Sequence, residues 1–265
     1  MGDDVNEVKA SKYNLFFNLE QGRYLLFNSM NKLVSVVDEQ TRYQIESYRQ
    51  DEQSGSAPMG VGDREKLVQL GLLVPAYVDE LDSFRELHEK SKHDMTSATF
   101  VVFPTFSCNL RCPYCYQGQG PGRPTGTMNS TVAKSVVDFI TTYVGDHGTK
   151  SVLLEFHGGE PLANFAALQQ VLNATHTYCS DKSIELSVEI FTNGTLITEE
   201  ITQALQRFSL TVVVSLDGPR LLHDTHRFLS DGSGTFEKVM GAIQNLLSKG
   251  IKVEANVSVA IDNVT

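Results

Sequence analysis

The sequence predicts an α/β protein, in which a parallel β/α domain of barrel type follows a small α+β domain. In residues 97–265, five apolar strands alternate with four helices, which is typical of a parallel sheet. Before them, residues 13–37 have the pattern of an antiparallel meander of short strands. The motifs rich in polar residues and glycine follow predicted strands, and β/α barrels build their active sites from the loops at that end.

The N-terminal domain is predicted at residues 13–80, after a polar segment, 1–12, that we expect to be disordered. A charged helix at 81–96 is predicted to link it to the second domain. Turn residues and β-rich runs set the boundaries inside the domain. Its predicted elements are strands at 13–19, 23–28 and 32–37, a helix ending at Tyr48, a loop at 50–63, a helix at 64–70 and a strand at 72–75.

The second domain, residues 97–265, has clear helix boundary signals. Pro161 suits the first turn of a helix, Thr198 with two following glutamates suits an N-cap, and Gly250 suits the end of a helix. The predicted elements are strands at 98–104, 152–156, 184–191, 210–216 and 251–260, and helices at 130–144, from Pro161, after Thr198 and at 235–248.

Composition argues against two classes of partner. The 265 residues carry a net charge of −10, so we expect no nucleic-acid ligand. No apolar run approaches the ~18 residues of a membrane span, and the N-terminus lacks the pattern of a signal peptide. We therefore expect a cytoplasmic protein without a membrane partner, in a compartment where thiols stay reduced.

Three of the four cysteines are clustered. Cys108, Cys112 and Cys115 have the spacing C-x3-C-x2-C, and the aromatic Tyr116 follows. A closed structural zinc site needs four protein ligands, and a four-iron cluster is normally held by four cysteines. Three thiolates would therefore leave one metal position open. A zinc knuckle and a Cys112–Cys115 dithiol remain alternatives, and the isolated Cys179 is predicted to be a packed thiol.

The second predicted strand of this domain is followed by His-Gly-Gly-Glu-Pro. Gly158 and Gly159 lack side chains, so we expect the chain to approach a ligand closely there. Glu160 could receive an ammonium group at this rim. The alternative is a tight turn with a helix-capping glutamate.

Polar residues also follow the third and fourth predicted strands. Asn193 lies in the turn Thr-Asn-Gly, and Ser215 and Asp217 alternate at the end of the fourth strand. Arg227 could bind a carboxylate with two hydrogen bonds. The nearby His223-Asp224 pair also fits a capped junction between a loop and a helix.

Together these motifs resemble the radical S-adenosylmethionine (SAM) enzymes, in the branch of sulfatase-maturase-like, SPASM-type peptide modifiers. The resemblance implies that the three clustered cysteines hold a [4Fe-4S] cluster whose fourth iron binds SAM. It implies a 5′-deoxyadenosyl radical that abstracts hydrogen from a peptide or protein side chain. It also implies SAM contacts from the residues that match the motifs: Tyr116 near the adenine, Gly158, Gly159 and Glu160 at the amino group, Ser215 near the ribose or carboxylate, and Asn193, Asp217 and Arg227 around them.

The resemblance carries further expectations. The family core is a partial (β/α)6 barrel, TIM-like, so five predicted strands suggest a barrel that is incomplete at the C-terminus, with auxiliary-cluster cysteines and the hydrogen-abstraction partner in a missing part. The N-terminal domain resembles winged-helix-like modules that bind a leader peptide, and an electron donor such as flavodoxin or ferredoxin is implied. The alternatives are a catalytically incomplete fragment or scaffold that binds the cluster and SAM, a zinc protein and a dithiol redox protein.

Overall fold

The computed structural model describes residues 7–49, 60–118, 122 and 124–259. The chain divides into two compact units, residues 1–94 and 95–265. The predicted boundary between the domains therefore falls within a few residues of the boundary between the units. Residues 1–6, and most of the loop predicted at 50–63, lie outside the described residues.

The N-terminal unit is the predicted small α+β fold. Three of its strands form an antiparallel meander in chain order, and its first and last strands form a separate antiparallel pair. Leu26, Ile45 and Leu73 are fully or almost fully buried in its core. The elements are β1 Val8–Ala10, β2 Asn14–Asn18, β3 Arg23–Asn28, β4 Leu33–Asp38, α1 Glu39–Glu46, α2 Val61–Gln69, β5 Leu73–Pro75 and α3 Glu80–Lys92.

The expectation of a disordered segment at 1–12 is wrong for residues 8–10, which form β1. This strand pairs with β5, Ala10 is buried, and the Ser11 hydroxyl donates to the buried Glu80 carboxylate at 2.5 Å. A strand of three residues is too short to show an alternating pattern, and its partners lie more than sixty positions away in the sequence.

The C-terminal unit contains the predicted parallel sheet. Its five strands lie in the order β10-β9-β8-β7-β6, so each strand pairs in parallel with the next one along the chain. This arrangement is that of a partial TIM-like barrel. The strands are β6 Ser97–Val102, β7 Ser151–Phe156, β8 Glu185–Thr192, β9 Thr211–Ser215 and β10 Lys252–Asn256.

Helices connect these strands and bury their apolar residues against the sheet. Leu154, Ile190 and Val212 on the strands and Leu168 on a helix share one core and are fully buried. The helices are α4 Ser130–His147, a 3-10 turn Pro161–Asn164 followed by α5 Phe165–Asp181, α6 Glu199–Leu205, α7 Arg220–His226 and α8 Phe236–Ser248. In the part of the chain that the structure describes, no helix is both long and apolar enough to cross a lipid bilayer.

Two predictions in this unit need correction. The strand predicted at 251–260 ends at Asn256, because its neighbour β9 ends at Ser215, the residue paired with Asn256; residue 260 lies outside the described part. The segment Arg220–His226 forms a fifth helix rather than only a helix junction. It has seven residues, too few for a helical pattern to be read with assurance from sequence.

Candidate functional site

The loops that follow the parallel strands enclose a cavity of about 310 Å³ in the C-terminal unit. Parallel strands bring their carboxyl ends to one edge, which is where α/β proteins bind ligands. All three clustered cysteines lie in its wall. The lining residues are Cys108, Leu110, Cys112, Tyr114, Cys115, Tyr116, His157, Gly158, Gly159, Phe191, Thr192, Asn193, Ser215, Arg227, Asn256 and Ser258.

The cysteine loop follows β6 and is held by backbone hydrogen bonds within the loop and to the segment after α7. The Cys115 N–H donates to the Cys112 carbonyl at 3.1 Å, and the Arg111 N–H donates to the Phe228 carbonyl at 2.9 Å. All three cysteines are outside disulfides and partly buried. Burial raises the pKa of Cys112 to about 11, against the opposing charge of Arg227.

The three cysteine sulfurs of the cavity are of the donor type that holds iron–sulfur clusters. Among the described residues, no three His, Cys, Asp or Glu side chains converge tightly enough to hold one metal ion. A cluster spans several ångströms, so it can join thiolates that are spread around a cavity. The three cysteine sulfurs would supply three thiolates, and the cavity beside them leaves room for a ligand at a fourth iron.

Gly158 and Gly159 bring two loops together. A Cβ on Gly158 would lie against the Thr105 carbonyl oxygen, and a Cβ on Gly159 against the carbonyl oxygens of Phe106 and Ser107, all closer than 3.0 Å. The Gly159 and Glu160 N–H groups donate to Thr105 and Ser107 at 3.0 and 2.8 Å. The close approach that these glycines permit is therefore to the backbone leading into the cysteine loop. Both glycines also line the cavity.

A Gly159→Ala variant is expected to lose about 3 kcal/mol of unfolding free energy, because both facing groups are backbone carbonyls that cannot move aside as a flexible side chain could. Urea denaturation measures the change. The matched control is Gly241→Ala in α8, where nothing lies within 4 Å of the new Cβ; it should gain about 0.5–1 kcal/mol from helix propensity. Equal stability of Gly159→Ala and the parent would contradict the packing argument.

Glu160 lies behind the cavity wall and is fully buried. Its carboxylate accepts hydrogen bonds from the Leu162 N–H at 3.1 Å, the Thr192 hydroxyl at 2.7 Å and the Asn193 N–H at 2.8 Å. Burial raises its pKa to about 7, although the three hydrogen bonds oppose this rise. The expectation that Glu160 receives an ammonium group does not match this geometry, since its oxygens already connect the loop after β7 to the end of β8.

Asn193 does lie in the cavity wall, at the end of β8. Its side-chain amide donates to the Asn109 amide oxygen at 3.0 Å and to the Cys108 sulfur at 3.7 Å. Its own oxygen accepts from the Thr195 N–H at 2.9 Å and from the Thr195 hydroxyl at 2.6 Å. The structure thus joins the turn Thr-Asn-Gly to the first cysteine.

Asp217 and Arg227 form a buried ion pair at 2.9 Å. Tyr114 donates its hydroxyl to the same Asp217 oxygen, and the Ser258 N–H donates to the other at 3.0 Å. Burial alone would raise the pKa of Asp217, but these hydrogen bonds and Arg227 outweigh it and lower the pKa. Arg227 was expected to bind a ligand carboxylate. In the structure, its Nε binds the carboxylate of Asp217. Arg227 still lines the cavity, whereas the carboxylate of Asp217 faces these partners.

His223 and Asp224 bind the chain segments next to this ion pair. The Asp217 N–H donates to His223 Nδ1 at 3.3 Å, so Nε2 carries the proton and faces the Thr235 hydroxyl at 3.0 Å. Asp224 accepts the N–H groups of Thr235 and Phe236 at 2.7 and 2.8 Å. Burial lowers the pKa of His223. These contacts at the start of α8 match the sequence interpretation of His223 and Asp224 as a capped junction between a loop and a helix.

The remaining predicted residues are accessible from the cavity. Tyr116 is 77% exposed, and its hydroxyl lies 3.4 Å from the Gly158 carbonyl oxygen. Ser215 lines the wall at the end of β9.

Seven lining residues were not among the predicted site residues: Leu110, Tyr114, His157, Phe191, Thr192, Asn256 and Ser258. The ring of His157 stacks on Phe191 at 4.0 Å. Tyr114 lies within the cysteine motif and His157 opens the motif His-Gly-Gly-Glu-Pro, whereas Ser258 was expected in a strand.

The radical SAM superfamily model matches residues 102–265. The chain is 23% identical over 264 residues to the radical SAM cyclopropyl synthase TigE of Paramaledivibacter caminithermalis, covering 91% of this chain and 53% of that protein. It is 31% identical over 179 residues to a cysteine-type anaerobic sulfatase-maturating enzyme of Clostridium perfringens, covering 64% and 46%.

A serine-type anaerobic sulfatase-maturating enzyme of Bacteroides thetaiotaomicron is 29% identical over 150 residues, covering 56% of this chain and 36% of that protein. The solved structure of native anSMEcpe with bound AdoMet and Cp18Cys peptide superposes with a TM-score of 0.52 at 25% identity, covering 60% of this chain and 42% of that one. The chain spans about half the length of the curated relatives it matches, or less.

The match over residues 102–265 includes the cysteine loop and the strands around the cavity. Enzymes of this family use a [4Fe-4S] cluster and SAM, and solved neighbours contain bound AdoMet. The cavity provides three thiols for a cluster and adjoining space for SAM. The chain belongs to the radical SAM superfamily, and it is similar to the sulfatase-maturating enzymes within it.

Proposed function

We propose that the protein is a radical SAM enzyme that removes hydrogen from a side chain of a peptide or protein. The observation that carries this proposal is the cavity in which three clustered cysteines face the loops after β7, β8 and β9. When bound, the cluster and SAM supply a one-electron cleavage that leads to hydrogen abstraction from the substrate. The protein's task is to bind and orient these groups and to exclude side reactions.

Different residues of the cavity would bind the cluster and SAM. Cys108, Cys112 and Cys115 would hold the cluster. The backbone of Gly158 and Gly159, together with Ser215, would contact SAM in the adjoining space, and Tyr116 would flank its adenine. Arg227 extends a buried positive charge to the same wall. This charge favours thiolates over thiols at the cluster site, since Arg227 acts to lower the pKa of Cys112.

A peptide or protein substrate is supported by the relatives. Two are named as sulfatase-maturating enzymes of serine and cysteine type, and one solved neighbour contains a peptide. We further propose a reductant protein such as flavodoxin or ferredoxin as electron donor, and the cytoplasm as location, because free clustered thiols persist in a reducing compartment.

The N-terminal unit offers a surface for a leader peptide. One face of the β2-β3-β4 meander carries two apolar cross-strand rows, Leu15–Phe27–Val34 and Phe17–Leu25–Val36, beside the charged pair Arg23–Asp38. Phe17 is 51% and Val34 is 61% exposed. An extended peptide could pack on this face and add to an edge strand of the meander. The structure thus supports a peptide-recognition role, of the kind predicted from the winged-helix-like resemblance.

The test is anaerobic reconstitution of the chain with iron and sulfide, followed by metal analysis and assay of 5′-deoxyadenosine released from SAM under reductant. We expect iron and sulfide in the ratio of a [4Fe-4S] cluster, and release that increases with synthetic peptides containing a central serine or cysteine. Bound zinc without iron would overturn the proposal. A loaded cluster that binds SAM without cleaving it would instead favour the scaffold alternative.

The same assay tests the leader surface. A Phe17→Asp variant should lose the peptide-stimulated part of 5′-deoxyadenosine release and keep the peptide-independent part. The matched control is Leu247→Asp on α8, a substitution at similar exposure (56% against 51%) in the other unit. Unchanged peptide stimulation in Phe17→Asp would exclude this face as the peptide site.

A further inference from the structure

The sulfur of Cys108 accepts two hydrogen bonds in the structure. The Leu110 N–H lies 3.4 Å from it, and the side-chain amide nitrogen of Asn193 lies 3.7 Å from it. The first bond belongs to the cysteine loop itself. The second comes from the end of β8, 85 positions later in the chain. Asn193 therefore brings a hydrogen bond to this sulfur from outside the cysteine loop.

The orientation of the Asn193 amide is fixed by its neighbours. The Thr195 backbone N–H can only donate, and it lies 2.9 Å from Asn193 Oδ1. The atom facing this N–H must therefore be the oxygen, so the NH2 group faces Cys108. This argument does not rely on distinguishing nitrogen from oxygen in the amide itself.

Two further contacts hold the amide in place. Asn193 donates to Asn109 at 3.0 Å, Asn109 donates to the Thr195 hydroxyl at 2.8 Å, and that hydroxyl donates back to Asn193 at 2.6 Å. These three side chains form a closed ring with consistent donor directions. On the backbone side, the buried Glu160 carboxylate accepts the Asn193 N–H at 2.8 Å. Asn193 is only 7% exposed, so water competes little for the amide.

We propose that Asn193 is a positioning and tuning residue that sets the reduction potential of the cluster through its hydrogen bond to Cys108. This inference rests on the proposed function, since it assumes that Cys108 is a cluster ligand. Reduction adds negative charge to the cluster and its sulfurs, so a donor to sulfur stabilises the reduced state. Hydrogen bonds to the sulfurs and solvent exposure are two of the properties that set cluster potentials, and partners of metal ligands tune metal sites generally.

The Thr195 backbone N–H fixes the direction in which this donor points. Asn193 cannot turn its NH2 group away from the sulfur without placing that group against the Thr195 N–H. Glu160 does not line the cavity, but it has a role in placing this donor. By fixing the backbone of Asn193 and of Leu162, its carboxylate holds the donor at the correct distance from Cys108.

The experiment is an EPR-monitored redox titration of the anaerobically reconstituted chain without SAM, comparing the parent with Asn193→Ala. At the midpoint potential of the parent, we expect the ratio of reduced to oxidised cluster to fall about tenfold in the variant, which is a shift of 59 mV for a one-electron couple. The matched control is Thr195→Val. It breaks the ring but keeps the backbone N–H that orients the amide, so its ratio should stay within about twofold of the parent, a shift below about 20 mV.

A midpoint unchanged by Asn193→Ala, or shifted equally by Thr195→Val, would overturn the inference. Asn193→Asp provides a second variant if the alanine variant does not load iron. It keeps the acceptor for Thr195 and replaces the donor to sulfur by an oxygen, so the midpoint should again fall. Failure of the parent chain itself to form an iron–sulfur cluster would count against the proposed function, whereas a loaded parent with an unmoved variant counts against the role of Asn193 alone.

Discussion

A Cys112→Ala variant of the full chain is expected to lose its iron–sulfur cluster and, with it, the release of 5′-deoxyadenosine down to the background without enzyme. Cys112 lies between the other two cysteines in the loop, and the cavity is lined by all three. Clusters are held by cysteine thiolates, normally four. A cluster with three protein ligands already has one open iron, so removing another thiolate would leave two.

The matched control for this prediction is Cys179→Ala. Cys179 is 1% exposed in the core of the C-terminal unit, on α5, and burial raises the pKa of its thiol. A buried, protonated thiol is unreactive and packs as a small hydrophobe. The substitution should cost about 1 kcal/mol of stability through lost packing, while iron content and 5′-deoxyadenosine release per cluster stay at the level of the parent.

Iron and sulfide analysis, together with a SAM cleavage assay, decides the result. Full cleavage by Cys112→Ala would show that the cysteine loop does not hold the catalytic cluster, whatever the family membership of the chain. Equal loss of cluster in Cys179→Ala would show that any cysteine substitution disturbs loading, and would remove the specificity of the first result.

The features that sequence predicted best are those encoded by neighbouring residues. The strand β9 is a run of three valines, Val212 to Val214, whose burial requires a central parallel strand. The cysteine loop is equally local, because its three thiols lie within eight residues and cannot separate far. Thr198 caps α6 as predicted, with its side chain accepting the Ile201 N–H. Alternation of such elements was enough to predict the parallel sheet and the edge at which the loops meet.

The contacts that sequence did not predict are made by groups that the fold brings together. Glu160 was expected to receive an ammonium group, and its carboxylate lies buried against Thr192 and Asn193 at the end of β8. Arg227 was expected to bind a ligand carboxylate, and its Nε binds the carboxylate of Asp217. A charged group is buried only with its partner, and a sequence motif does not show which of several charges that partner is.

The second large effect is expected at Asp217. An Asp217→Asn variant should lose about 3–5 kcal/mol of unfolding free energy, because it leaves the buried charge of Arg227 without a counter-charge. An asparagine cannot replace the hydrogen bonds either. One Asp217 oxygen accepts from Arg227 and Tyr114, and the other accepts from the Ser258 N–H. Whichever way the amide is turned, its NH2 group faces a donor.

The pH dependence of this loss follows from the lowered pKa of Asp217. The folded protein binds the proton more weakly than the unfolded chain, whose aspartate has the ordinary pKa of 3.8. The ion pair therefore stabilises the fold fully above that value, and its contribution disappears as the pH falls through the lower pKa of the folded state. The difference in stability between parent and Asp217→Asn should be constant from pH 5 to pH 7, the range above both pKa values, and should narrow below about pH 4.

Urea denaturation of both proteins across this pH range makes the measurement, with Asp231→Asn as the matched control. Asp231 is an exposed turn residue whose carboxylate accepts hydrogen bonds from Ser233, and these bonds lower its pKa as well. Its loss should change the unfolding free energy little, because water replaces those bonds. If Asp217→Asn costs no more than this control, the ion pair does not hold the loops together. A cost of several kcal/mol that persists unchanged below pH 3 would instead assign the effect to packing, since a protonated Asp217 carries no charge to lose.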